Sequence, residues 1–128
     1  MARILLIDDD LEILNLLHEV LVEAGHDCFC AENGVIGFRA LEQSRFDLVV
    51  TDLVMPEAEG IETILKIRRR GSRVPVLAIS GAFLAAPGDL LDMAADLGAD
   101  RTLTKPFDIG EFMRVVEELL AGRPGEIL

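Results

Sequence analysis

The sequence predicts an α/β domain, a parallel five-stranded sheet with helices on both faces. Three observations carry this. Short apolar runs rich in β-branched residues alternate five times with longer segments whose apolar residues recur at helical spacing. Glycine, proline, asparagine or aspartate stands at the breaks between them, where elements start and stop. Strands that alternate with helices argue for a parallel sheet, whose crossovers must be right-handed.

Arg3 to Ile7 is the first apolar run and reads as a buried strand. Asp8, Asp9 and Asp10 follow, and Asp10 is placed to cap a helix carrying Leu14, Leu17, Leu21 and Ala24, which Gly25 ends. His26 to Ala31 is the second strand. Asn33-Gly34 opens a weaker helix, with Phe38 and Leu41 inward, that runs to about Ser44. Leu48 to Thr51 is the third strand and leads to Asp52; Pro56 to Gly60 is a loop. Ile61, Ile64, Leu65 and Arg68 define the next helix, which stops near Gly71. Val74 to Ile79 is the fourth strand, with Pro75 tolerated near its start, and Ser80-Gly81 ends it. After a loop with Pro87 and Gly88, Leu90, Ala94 and Leu97 form the stripe of a helix ending at Gly98. Arg101 to Thr104 is the fifth strand, and Lys105-Pro106 turns the chain. Ile109, Phe112, Met113, Val116 and Leu120 give an amphipathic last helix.

A chain of 128 residues is one ordinary domain, placed at 1–122 with a short tail at 123–128 and no second domain expected. Its composition, 51% hydrophobic, supports a proper core, and no apolar run is long enough to cross a bilayer. Met1-Ala2-Arg3 leads straight into a strand without a small-residue cleavage site, so no signal peptide is read and a cytoplasmic location is expected. The net charge of −11 argues against nucleic acid as a partner, since phosphate backbones need a broad basic footprint. Arg68, Arg69, Arg70 and Arg73 read instead as cations complementing a helix C-terminus. Cys28 and Cys30 share one face of a strand; their spacing suits neither a disulfide nor a metal site, and both are expected as small buried core residues.

The chemistry centres on FDLVVTDLVMP, residues 46–56, in which an apolar strand ends in one carboxylate, Asp52. In a parallel sheet all strand C-termini share one edge, where open α/β sheets hold ligands. That edge gathers Asp8 and Asp9 from the first strand, Asp52 from the third, Ser80 from the fourth and Lys105 after the fifth. Carboxylates crowded together raise one another's pKa or demand a cation. A hard divalent ion such as Mg²⁺ accepts oxygen ligands, and Lys105 adds a fixed positive charge. Such a site can hold a phosphoryl group while a carboxylate oxygen attacks it in line, with Ser80 donating its hydroxyl to a phosphoryl oxygen. Taken singly, an Asp after a strand is a turn or cap residue, Ser-Gly is a turn, and Lys before Pro is a solvated charge. Their joint occurrence at four strand ends is what points to a site.

The pieces ILLIDDD, LVVTDLVMP, VLAIS and TLTKPF, with Gly60 and the LGAD of Leu97 to Asp100, resemble the receiver domain of two-component response regulators, the CheY-like group, over about Ala2 to Ala121. The resemblance implies a flavodoxin-like, doubly wound (βα)5 fold with strand order 2-1-3-4-5. It implies that Asp52 is the phosphoacceptor, and that Asp9 (directly), Asp8 (with help from water), Asp52 and the backbone carbonyl of Val54 hold Mg²⁺ or Mn²⁺. Ser80 corresponds to the hydroxyl residue that moves toward the phosphoryl group, Lys105 to the lysine paired with the acidic site, and Lys105-Pro106 to a cis peptide. The implied donor is a histidine kinase or a histidine phosphotransfer protein. The implied output is a protein target on the face of the fourth helix, fifth strand and fifth helix, from a monomer or a phosphorylation-dependent homodimer. No nucleic acid or membrane is engaged. His18 and His26 match no donor role.

The sequence also departs from the family. Thr102 stands where an aromatic switch residue is common, so aromatic switching cannot operate there. The loop after Ser80 is longer than usual and apolar at Phe83 to Ala86, suiting a partner surface or simple packing. Glu59 replaces the usual Asp or Asn before the next helix, which predicts a frayed start. Val54 and Ala82 cannot orient water, which predicts a long-lived phosphoryl group. The expected function is a signalling domain and not an enzyme: a stand-alone receiver, a phosphorelay intermediate or a phosphate sink. The alternative class is a haloacid-dehalogenase-like phosphatase using Asp8-x-Asp10, against which Glu12 stands where Thr or Val is expected.

Overall fold

The computed structural model of the chain describes residues 1–53, 59–81 and 98–122. Its elements are β1 (Arg3–Ile7), α1 (Leu11–Glu23), β2 (Asp27–Ala31), α2 (Gly34–Gln43), β3 (Leu48–Asp52), α3 (Glu59–Arg69), β4 (Val76–Gly81), β5 (Arg101–Lys105) and α4 (Ile109–Ala121). The helix predicted around Leu90 to Leu97, the apolar loop at Phe83 to Ala86, Val54 and the tail at 123–128 lie outside the described residues. The described helices therefore number four, and α4 is the last of the five that the sequence predicts.

The strands form one sheet in the order β2-β1-β3-β4-β5, every pair parallel. Alternate residues along a strand face opposite sides, and the core divides accordingly. Ile4, Leu6, Leu48, Val50, Leu77 and Ile79 pack with Leu14, Leu17 and Leu21 of α1 and Phe112, Val115 and Val116 of α4. Leu5, Ile7, Val49, Val76 and Ala78 pack on the other side with Ile64 and Ile67 of α3, and with Phe38 and Leu41 of α2.

Local chemistry sets the helix ends. The Asp10 carboxylate accepts the N–H groups of Glu12 and Ile13 at 3.0 and 3.4 Å and starts α1. Gly25 ends the turn after α1 at a φ of 94°, a left-handed conformation that glycine adopts without steric penalty. Asn33 caps α2 through the Ile36 N–H, and Asp108 caps α4 through the Glu111 N–H.

Three expectations need correction. First, β4 begins at Val76 and not Val74, because the Val74 carbonyl accepts from the Arg68 guanidinium while the Val76 N–H is taken by Asp100. Second, Glu59 and Gly60 belong to α3 and not to the preceding loop, so Glu59 is the helix's first residue and not its cap. Third, Cys28 is half-buried against the α1-side core, but Cys30 is exposed. β2 is an edge strand, and it also leaves Asp27 and Phe29 exposed. Burial pushes the Cys28 thiol up to about 12, and partial shielding of the Cys30 sulfur by the protein around it, exposed as the residue is overall, raises that thiol too, so neither is a thiolate at neutral pH.

Candidate functional site: an acidic pocket at the strand C-termini

The parallel sheet brings the predicted residues to one edge. Asp8 follows β1, Asp52 ends β3, Ser80 lies near the end of β4 and Lys105 ends β5. Asp8 and Asp52 are each 4% exposed, Ser80 is fully buried, and Asp9 is exposed. The three aspartates after β1 divide their tasks. Asp10 caps α1; the Asp8 N–H donates to the Ala31 carbonyl at 3.1 Å, while Asp8 Oδ1 accepts the Asp10 N–H at 2.9 Å. Asp9 contributes an oxygen that lies, with one oxygen each from Asp8 and Asp52, in a group whose members are all within 4.8 Å of one another.

Lys105 crosses the pocket. Its Nζ donates to Asp8 Oδ2 at 3.2 Å and to Asp52 Oδ2 at 3.1 Å. Burial is the main reason the Asp8 carboxyl is raised from 3.8 to about 6, and the Asp52 charge adds to it. The Asp10 N–H and Lys105 pull the other way without restoring the ordinary value. For Lys105, burial opposes the charge, but Asp52 and Asp8 outweigh it and hold the ammonium above its usual range. Among the described residues the cluster thus sets three carboxylates against one ammonium. An all-oxygen donor set with surplus negative charge fits a hard divalent cation, Mg²⁺ or Mn²⁺.

The Ser80 Oγ is buried and has no hydrogen-bond partner among the described residues. Such a group costs about 1–3 kcal/mol while it stays unsatisfied. Ser80 is in register with Thr104, and Thr102, part-buried, with Ala78. The Lys105–Pro106 peptide is cis. Sequence reasoning missed the Asp10 N–H that holds Asp8, and matched Gly60 without giving it a role. Gly60 is buried against the backbone of Asp52 and Leu53. Its signal was only the glycine itself, inside a helix where alanine is intrinsically better.

No helix among the described residues is long and apolar enough to cross a membrane. The family model for the response regulator receiver domain matches residues 4–117. The transcriptional regulatory protein CpxR homolog of Haemophilus influenzae is 38% identical over 122 residues, which cover 94% of this chain and 51% of that protein. The DNA-binding dual master transcriptional regulator RpaA of Synechocystis is 39% identical over 124 residues, 94% of this chain and 49% of that protein. The chain thus spans about half the length of these curated relatives. Among solved structures, a CheY-like receiver domain protein from Methanospirillum hungatei superposes with a TM-score of 0.88 at 24% identity, covering 98% of each chain. The receiver domain of the Francisella response regulator 1452 gives 0.85 at 26% identity, covering 94% of this chain and 98% of that one. With a family match that spans nearly all of the sheet and its acidic pocket, the chain belongs to the receiver domain family of two-component response regulators.

Proposed function

We propose that Asp52 is the phosphoacceptor and that the domain signals by taking a phosphoryl group there. Receiver domains accept phosphoryl groups from histidine kinases, and here a histidine phosphotransfer protein is an equally suitable donor. The observation that carries the reading is the Lys105 ammonium held between Asp52 and Asp8, at the sheet edge where β4 also ends just after Ser80, whose buried hydroxyl has no hydrogen-bond partner among the described residues. An Asp52 oxygen attacks phosphorus in line. The O–P bond forms as the P–N bond of the phosphohistidine breaks, and its electron pair returns to the imidazole nitrogen. Lys105 neutralises charge on the phosphoryl oxygens, and Ser80 donates its hydroxyl to one of them. Asp8, Asp9 and Asp52 would hold Mg²⁺ or Mn²⁺, together with the carbonyl of Val54, a residue outside the described ones. When bound, the cation neutralises the developing charge.

Output passes to a protein target through the face of β5 and α4; the fourth predicted helix, around Leu90 to Leu97, which the sequence assigns to that face, lies outside the described residues. Curated relatives about twice as long are named transcriptional regulators. The target is therefore either a further part of such a protein or a separate partner. The net charge of −11 keeps nucleic acid off this domain itself. Thr102 makes the output depend on movement around Ser80 and not on a rotating ring.

A nucleophilic Asp8, as in haloacid-dehalogenase-like enzymes, is disfavoured because Asp10, the second acid of Asp8-x-Asp10, is engaged as the cap of α1 through the Glu12 and Ile13 N–H groups. The test is incubation with acetyl phosphate and Mg²⁺, read by intact mass. Wild type is expected to gain one phosphoryl group, and Asp52→Ala none. A gain that survives the substitution removes Asp52 from the role.

A further inference from the structure

We infer that Gly60 is a positioning residue for the Asp52 carboxylate, because only a residue without a side chain lets α3 seat on the backbone that carries it. The inference rests on Asp52 being the phosphoacceptor and adds to that reading the element that fixes its place.

A Cβ at Gly60 would overlap the Asp52 carbonyl oxygen, lie 2.7 Å from Leu53 Cα and 3.0 Å from the Asp52 carbonyl carbon. All three are backbone atoms, which cannot rotate aside. Nor is the strand end free to retreat. The Asp52 carbonyl accepts the Thr51 hydroxyl at 3.2 Å, and the next N–H, of Leu53, donates to the Ile79 carbonyl at 2.8 Å. Retreat of α3 is opposed as well, since Ile64 is 0% and Ile67 2% exposed in the core on that side of the sheet. A side chain at position 60 must therefore displace either the helix or the peptide bearing Asp52. Because the helix is anchored by its apolar face, part of the displacement falls on Asp52, whose carboxylate is held by Lys105 at 3.1 Å.

Gly37 provides the contrast. It too is a buried helical glycine, in α2, but a Cβ there would meet Cδ1 and Cγ1 of Ile7 at 2.5 and 2.8 Å. Those are atoms of a side chain that can change rotamer. Both glycines forgo about 0.5–1 kcal/mol of helix propensity relative to alanine, yet only the one in α3 touches the backbone of the proposed phosphoacceptor.

The experiment compares wild type, Gly60→Ala and Gly37→Ala. Three quantities are measured: the unfolding midpoint without divalent ions, Mg²⁺ affinity by calorimetry, and the dependence of the phosphorylation rate on acetyl phosphate concentration by intact mass. Both variants should fold with lowered midpoints. Gly60→Ala should lose about ten- to a hundredfold in the saturated rate, the range expected for sub-ångström to ångström misplacement of a reacting group, and should bind Mg²⁺ more weakly. Gly37→Ala should keep both near wild type. A Gly60→Ala protein with wild-type rate and Mg²⁺ affinity overturns the inference. So does one that fails to fold where Gly37→Ala folds, since the glycine would then serve the fold and not the site. A wild type that takes no phosphate, or takes it with Asp52 replaced, instead removes the phosphoacceptor reading itself, and the inference with it.

Discussion

Asp8 shows how a buried carboxylate trades stability for binding. Burial and the Asp52 charge raise it from 3.8 to about 6 in the folded protein. Between those two values the folded state holds a proton that the unfolded state has released, so stability falls as pH rises through that window. The gap, at 1.36 kcal/mol per unit, corresponds to about 3 kcal/mol that is fully lost above pH 6. Asp8→Asn removes the charge and keeps an oxygen able to accept the Asp10 N–H, while losing the ammonium contact of Lys105. Urea unfolding in EDTA at pH 8 should show Asp8→Asn more stable than wild type by about 1–3 kcal/mol, with the difference closing toward pH 4. Its Mg²⁺ affinity should fall sharply. A variant less stable than wild type at pH 8 would mean that Lys105 repays the burial of Asp8 in full.

At the scale of elements, α3 fixes both ends of the central sheet, touching Asp52 through Gly60 and the opposite edge through Arg68. The Arg68 Nε and Nη2 donate to the Gly98 carbonyl at 3.0 and 2.7 Å, and Nη1 donates to those of Val74 and Ser72 at 2.7 and 3.1 Å. Nη2 also reaches Asp100 Oδ2 at 3.0 Å, which in turn accepts the Val76 N–H at 2.8 Å. One guanidinium thus ties the entries of β4 and β5 together. Arg68→Ala should cost about 2–4 kcal/mol by chemical denaturation, since it strands several part-buried acceptors. Arg68→Lys should recover little, because an ammonium cannot span the fork. Faster amide exchange should follow at Val76 and at residues 98–101. The sequence read Arg68 as one of the residues defining a helix and as a cation for its C-terminus, and not as a tie between strands, because its partners are mostly backbone carbonyls, which carry no residue-type signal. Caps such as Asp10 and Asn33 were legible because donor and acceptor lie within three residues. The start of β4 was not, because Arg68 and Asp100, distant in sequence, divert its first groups.

For the whole molecule, the pocket was legible because each of its side chains marks a strand end, and parallel topology brings strand ends together. What pattern could not supply was the balance of forces inside: Lys105 shared between Asp8 and Asp52, Ser80 without a partner among the described residues, Gly60 pressed on backbone. These depend on distances of a few tenths of an ångström. That balance has a consequence for the whole fold. Three carboxylates around one ammonium among the described residues, in a chain of net charge −11, should leave the cation-free protein the less stable form above neutral pH. A ligand that binds only the folded state stabilises it by RT ln(1 + [L]/Kd), about 2.7 kcal/mol at a hundredfold excess over Kd. Mg²⁺ should therefore raise the unfolding midpoint by several degrees at pH 8. At pH 5 the effect should be much smaller, because Asp8, raised to about 6, is then mostly protonated and a poor ligand. NaCl at matched ionic strength should reproduce only the part due to general screening of the surface charge. A midpoint shift that is equal at the two pH values, or that NaCl reproduces in full, would place the stabilisation on the surface at large and not in the pocket of Asp8, Asp9 and Asp52.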